Sequence, residues 1–208
     1  MIQGSAEWLH ARCGKVTASR VADVIAKTKT GYGSSRANYM AELIAERLTG
    51  EPADRFMNAA MQWGSDQEPH ARAAYSFLTG HSVEEAGFIQ HPTIVMSGAS
   101  PDGLVGDKGL VEIKCPNTAT HIDTLLTEAI PAKYVTQMTW QAVCTGRAWC
   151  DFVSYDPRMP PNMMMFVKRL IIAPDFAAEL ETEVRKFLAE MDAKMADLRA
   201  RFNHEEAA

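Results

Sequence analysis

Apolar positions along this chain keep two rhythms, one near 3.6 residues and one of two, and the changes between them lay out its elements. Over Thr17–Ala26, Val21, Val24 and Ile25 share a helical stripe, with Thr17 or Ser19 placed as N-cap. Lys27–Ser35 is polar, holds Gly31 and Gly33, and is predicted to be a loop. Ser35–Leu48 returns to helical spacing through Tyr39, Met40, Leu43, Ile44, Arg47 and Leu48, and Gly50 stops it. Asn58–Leu78 is a third helix ending at Gly80, with a break expected near Gly64 and Pro69.

The period then shortens. Val83–Gln90 and Ile94–Ser97 are predicted strands. A bent strand pair follows, broken by glycines at 103, 106 and 109. Helices over Ala119–Glu128 and Ala132–Cys144 come next, the second ended by Gly146. Strands over Trp149–Ser154 and Met163–Ile172 are joined by the Pro157–Pro161 turn, and a long amphipathic helix, Asp175–Phe202, opens behind Pro174. The run Met163-Met164-Met165 is expected to fill core. There is no repeat and no shift of composition, so residues 1–208 are expected to form one domain. The order of elements gives an α/β fold, a mixed sheet flanked by helices.

One strand carries charge where apolar residues belong. Ser100-Pro101-Asp102-Gly103 is followed, after a gap of nine residues from the aspartate, by Glu112-Ile113-Lys114. Residues i and i+2 of a strand share a face, so Glu112 and Lys114 point together while Ile113 points into the core. If Asp102 lies at the neighbouring bend, it faces them. Unpaired charge inside strand text is costly. Two carboxylates beside a lysine can hold Mg²⁺, a hard cation that takes oxygen ligands and keeps several waters. The lysine can orient or deprotonate a water, the latter only if nearby positive charge lowers its pKa. A surface hairpin with a Glu/Lys pair is the plain alternative.

Composition narrows the setting. A hydrophobic content of 47% with 23% charged residues is ordinary for a globular chain. No apolar run nears the roughly 20 residues that cross a bilayer, and Met1–Trp8 lacks the look of a signal peptide. The four cysteines make no C-x-x-C pair, so they are expected to be reduced thiols in a cytoplasmic protein. The net charge of -5 is uneven: Arg12–Arg36 holds six basic residues and one acid, whereas Asp175 onward holds nine acids and five bases. Such a chain is expected to turn a basic face to a polyanion. The six histidines show no spacing that assigns them a role.

With Cys115-Pro116 added, the central segment resembles the signature of the PD-(D/E)xK nuclease superfamily, and more narrowly the phage lambda exonuclease (YqaJ-type viral recombinase) family. Four further segments match in order: Trp8 with Arg12-x-Gly14-x-Val16-Thr17-Ala18-Ser19, Trp63-Gly64-x-x-x-Glu68, Tyr134-x-x-Gln137, and Tyr155-Asp156-Pro157-Arg158-Met159. The resemblance implies a restriction-endonuclease-like core. It also implies a Mg²⁺ site (Mn²⁺ able to substitute) on Asp102, Glu112 and the Ile113 carbonyl, with Lys114 handling the water and Glu68 and Gln137 completing the catalytic set. Arg12 and Ser19 would receive a terminal 5′-phosphate, Lys29 would stand in a DNA-contacting loop where the family has arginine, and Met61 would wedge into the duplex end where the family has leucine. The implied activity is processive 5′-to-3′ digestion of double-stranded DNA ends, leaving 3′ overhangs. The implied partners are two further copies in a trimeric ring and a single-strand-annealing protein, in the cytoplasm of a bacterial host and from a phage or prophage gene. A structure-specific endonuclease or junction resolvase on the same core, and a non-catalytic DNA-end-binding protein, are the alternatives.

Overall fold

The centre of the molecule is strand β8 (Gly109–Lys114), where the charged residues of the sequence lie. In this computed structural model, which describes residues 1–53 and 58–202, β8 is the middle strand of a five-stranded sheet. Its hairpin partner β7 (Gly103–Val105) lies antiparallel on one side, with β4 (Val83–Glu84) beyond it. On the other side β9 (Trp149–Tyr155) runs parallel, and β10 (Met165–Ile171) pairs antiparallel with β9. A parallel neighbour needs a crossover, supplied here by α5 (Thr118–Thr127) and α6 (Ala132–Thr145).

Both faces of β8 are buried. Val111 and Ile113 face α4 (Ala59–Thr79), packing with Ala71, Tyr75 and Val153. Leu110 faces α6, packing with Met138, Ala142 and Phe152. A third cluster binds α3 (Ser34–Thr49), the short α2 (Val21–Val24) and α7 (Pro174–Phe202), with Phe187 stacked on Tyr39 at 5.8 Å between centroids. Because Phe187 is fully buried, Phe187→Ala should cost about 3–5 kcal/mol, read as a lower midpoint of urea unfolding with unchanged slope. The helix stops at Gly50, Gly80 and Gly146 hold: each residue is left-handed, with φ of 74°, 71° and 67°.

Several expectations are corrected. The predicted Thr17–Ala26 helix is only a 3₁₀ turn, Ala18–Arg20, followed by the single turn α2; Thr17 takes the N-cap position of the 3₁₀ turn but its side chain makes no capping hydrogen bond, and Ser19 lies within the turn. Val16–Thr17 is drawn off as β1, parallel to β6 (Ser97–Ala99), while the Thr17 N–H goes to the Tyr39 hydroxyl. The Lys27–Ser35 loop contains a small ribbon, β2 (Lys27–Thr28) with β3 (Gly31–Tyr32), fastened to α7 by the Tyr32 hydroxyl donating to Glu183. Helix α4 runs unbroken through Pro69, because Ser65 and Pro69 are both exposed and the carbonyl without an N–H partner can meet water. Val83–Gln90 splits into β4 and β5 (Ile89–Gln90), which join different sheets; β5 pairs with β6. Met163 lies outside β10 and is exposed, with only Met164 and Met165 packing on the core.

The expected basic face is partly cancelled inside the fold, through Arg20, Lys27 and Arg36, and Arg47 further along α3 adds to the pairing. Lys27 pairs with Glu183, Arg36 with Glu190, Arg47 with Asp192, and Arg20 with Asp23 and Glu42. The acidic helix α7 is thus the partner of Lys27 and Arg36. Arg36, only 6% exposed in its side chain, lies between the rings of Tyr32 and Phe187. All four cysteines are free, as expected; Cys144 and Cys150 are core. Two of the histidines are structural: His121 is buried between Ser154 and the Met163 carbonyl, and His91 is stacked on Trp140.

Candidate active site

Glu112 is buried completely, and its carboxylate is held by donors on three sides. Gln137 and Gln141, one turn apart on α6, donate to its two oxygens at 2.6 and 2.5 Å. Lys114, two residues along the same face of β8, forms an ion pair with the first of these oxygens and lies 5.4 Å over the Tyr134 ring. Burial alone would lower the Lys114 pKa, but the carboxylates of Glu112 and Asp102 outweigh it and push it up, so the group is an ammonium. That is opposite to what a basic lysine requires.

Asp102 sits at the bend where the chain passes from β6 to β7, one residue before the hairpin strand begins. Its Oδ2 accepts the Ile113 N–H at 2.7 Å, beyond the last β7 residue paired with β8. In a strand the carbonyl leaves on the same side as the N–H of its own residue, so Ile113 turns both backbone groups toward Asp102. Burial, then the carboxylate of Glu112, lift the Asp102 pKa well above the ordinary range despite Lys114 nearby; Glu68 adds to the lift. Glu68, on α4, is raised too, first by burial, with Arg72 and Lys114 pulling it back in part. Arg72 bridges Glu68 and Glu85 at 2.6 and 2.8 Å. Glu68 and Asp102 line one wall of a cavity of about 920 Å³ with Trp8, Gln62, Ser65 and Arg72.

The donor set suits a hard cation. Among the described residues no three Asp, Glu, His or Cys side chains form a ready cage. What faces the site is two carboxylates and a strand carbonyl, an all-oxygen set that leaves room for water and matches Mg²⁺ better than a soft metal. Burial is the first cause of the rise at Asp102 and Glu68, and the repulsion from Glu112 that adds to it is what a divalent cation would relieve.

A second cavity, about 400 Å³, shares Leu9, Pro52 and Ala53 with the first. Arg12, Ser19 and Met61 all line it, joined by Lys15 and Arg20. The structure thus gathers three of the four residues assigned to the DNA end. Met61 is 54% exposed, on the first turn of α4, rather than helix core. Lys29 lies on the exposed turn between β2 and β3 and lines neither cavity.

The YqaJ-like viral recombinase domain matches residues 7–148, a stretch holding every assigned residue. The chain belongs to that family. An alkaline exonuclease from Laribacter hongkongensis, LHK-Exo, is 55% identical over 95% of this chain and 97% of that one, with a TM-score of 0.89, and a second structure of it holds dAMP. A phage-related exonuclease from Haemophilus somnus 129PT, at 15% identity over 88% of this chain and 96% of that one, has a TM-score of 0.73 and shares the fold. No curated protein matches. This member of the YqaJ-like family is a nuclease, of the phage-exonuclease type.

Sequence reasoning passed over several residues of the site. Gln141 was legible as the i+4 neighbour of Gln137 on one helical face, but nothing marked it as a partner of Glu112. Ser100 ties the two cavities: its hydroxyl accepts from Trp8 Nε1 at 2.9 Å and from Arg12 at 3.1 Å, two residues before Asp102. The Arg12 guanidinium lies 4.0 Å over the Trp8 ring. Helix α1 (Ala6–Arg12), capped by Ser5, brings Trp8 and Arg12 to one side.

Proposed function

We propose that this protein is a Mg²⁺-dependent exonuclease that digests the 5′-ended strand of double-stranded DNA and leaves 3′ overhangs. The observation that carries the reading is the adjacency of two cavities, an acidic one with Asp102 and Glu68 and one where Arg12, Lys15, Arg20 and Ser19 stand with Glu42 and Glu46 and the cations are in slight excess. An end-processing enzyme needs both: one site to hold the terminal phosphate and another to hydrolyse a bond at fixed reach. The dAMP of the Laribacter exonuclease is a deoxynucleoside monophosphate, the class of product such digestion releases, and it supports DNA as substrate here.

In this reading Asp102, Glu112 and the Ile113 carbonyl hold Mg²⁺, or Mn²⁺ in its place. A bound Mg²⁺ supplies charge neutralisation at the phosphoryl oxygens and lowers the pKa of a bound water. Gln137 and Gln141 hold the two oxygens of Glu112 and aim the group. Lys114, as an ammonium, orients the attacking water or meets a phosphate oxygen; to act as a base it must first lose a proton, which its ion pair with Glu112 opposes. Glu68 closes the acidic side against Arg72. Met61 is the exposed wedge at the duplex end, and Lys29 is a backbone contact on its ribbon.

Processivity through a trimeric ring, and loading of a single-strand-annealing protein on the remaining strand, rest on family membership alone, since Arg20, Lys27 and Arg36 of the basic segment are paired within their own chain. Light scattering at a trimer mass supports the ring; a monomer mass ends it. Action in the bacterial cytoplasm fits the four free thiols, and among the described residues no helix is long and apolar enough to cross a membrane. Digestion of end-labelled linear duplex, with closed circular duplex alongside, tests the whole reading. Loss of 5′ label from the linear form with the circle intact is expected. Cutting of the circle would make it an endonuclease, and binding without cutting would leave an end-binding protein.

Arg12 gives a sharper test. A terminal phosphate carries more charge than an internal diester, and guanidinium forks onto it. A hydrogen bond to a charged group is worth about 1.5–3 kcal/mol, so a 5′-phosphorylated duplex should be digested roughly 10- to 100-fold faster than a 5′-hydroxyl duplex. Arg12→Ala should lose most of that ratio while its Mg²⁺ requirement stays. Equal initial rates on the two ends with the unaltered protein would remove Arg12 from this role.

A further inference from the structure

Two of the ordered segments, Trp63-Gly64 and Tyr155–Met159, take no part in the chemistry described above, yet the fold brings them together beside it. Asp156, at the end of β9, is fully buried in its side chain. Such a carboxylate needs partners, and Arg158 supplies three: its backbone N–H at 3.0 Å and a fork of Nε at 2.6 Å and Nη2 at 3.0 Å. The same Nη2 donates to the Pro116 carbonyl at 3.2 Å, two residues past Lys114. The guanidinium then lies 4.2 Å over the ring of Trp63 on α4. At the next residue of α4, Gly64 passes so close to the end of β8 that a Cβ there would stand 3.5 Å from the Cys115 carbonyl oxygen. One planar cation therefore touches the end of β9, the end of β8 and the helix that carries Glu68 one turn further on.

We propose that Asp156, Arg158 and Trp63 form a clamp that sets α4 against the end of β8, so that Trp63 and Arg158 are positioning residues for Glu68 and Lys114. The proposal rests on the nuclease reading of those residues. A guanidinium fits because it is planar, permanently charged and able to fork and stack at once, which an ammonium is not.

The test reads the clamp in two ways. Cys115 is half-buried under α4, whereas Cys13 lies away from the clamp at the end of α1. A short pulse of N-ethylmaleimide on the full chain, followed by peptide mass analysis, compares the two thiols. Arg158→Ala and Trp63→Ala should label at Cys115 several-fold faster with Cys13 unchanged, and Arg158→Lys should behave like Arg158→Ala. Trp63→Phe keeps an aromatic face and should stay near the unaltered protein. On linear duplex DNA the loosened variants should need several-fold more Mg²⁺ for half-maximal rate, a quantity that a smaller folded fraction does not move. The clamp is overturned if Cys115 labelling is unchanged, or if all four cysteines react faster together. Faster Cys115 labelling with an unaltered Mg²⁺ dependence and rate would overturn the positioning role. An unaltered protein that cuts no DNA defeats the nuclease reading and the positioning role with it, while the thiol comparison still decides whether the clamp exists.

Discussion

Glu112→Gln is expected to yield a folded protein that cuts DNA at least about a thousand-fold more slowly. The side chain keeps its shape but loses its charge at a place where both oxygens are in use, so an NH₂ group faces the amide of Gln137 or Gln141. Lys114 loses its ion partner at the same time. Metal-supplied charge neutralisation is worth several kcal/mol at the transition state, and about 1.4 kcal/mol is a factor of ten. A second measurement separates loss of the metal from loss of the fold. Mg²⁺ that binds the native state alone raises the melting temperature, so the unaltered protein should gain stability with added Mg²⁺ and Glu112→Gln should not. Asp102→Ala should behave alike in both assays, with DNA binding kept. Brisk Mg²⁺-dependent digestion by either variant would show that the cation, if there is one, sits elsewhere.

Lys114→Ala is expected to lose about 10²- to 10⁴-fold in rate, the range for a residue that handles a proton or its water, while still gaining stability from Mg²⁺. The carboxylates of Asp102 and Glu112 and the Ile113 carbonyl all remain, and Glu112 keeps both glutamine donors. Some stability is lost, because half of a buried ion pair is gone. Single-turnover digestion at saturating Mg²⁺ reads the chemical step alone. A rate within a few-fold of the unaltered protein would reduce Lys114 to a structural counter-ion. Its raised pKa makes this a test of an ammonium in the first instance: Lys114→Arg, fixed in charge, should keep more activity than Lys114→Ala if the group orients rather than deprotonates.

Much of this protein was determined by the sequence alone. Charge at alternate positions inside otherwise apolar strand text singled out Glu112 and Lys114, with a surface hairpin as the alternative, and a period of two fixes that they share a face whatever the rest of the fold does. The helix ends at Gly50, Gly80 and Gly146 were equally local, since a left-handed residue ends a helix through its own backbone. Tertiary structure decided what depends on partners distant in the chain. The short turns after Thr17 replace a longer helix because Val16–Thr17 is claimed by β6, 81 residues away at the Ser97 contact. Lys27 and Arg36 lose their free charge because α7 folds back onto them, as in the pair of Arg36 with Glu190, 154 residues apart. Gln141, Ser100 and the Arg158–Trp63 stack are of the same kind. Each is an ordinary residue by type and spacing, and acquires its role from the direction in which another element happens to point its side chain, a quantity that periodicity along one segment does not contain.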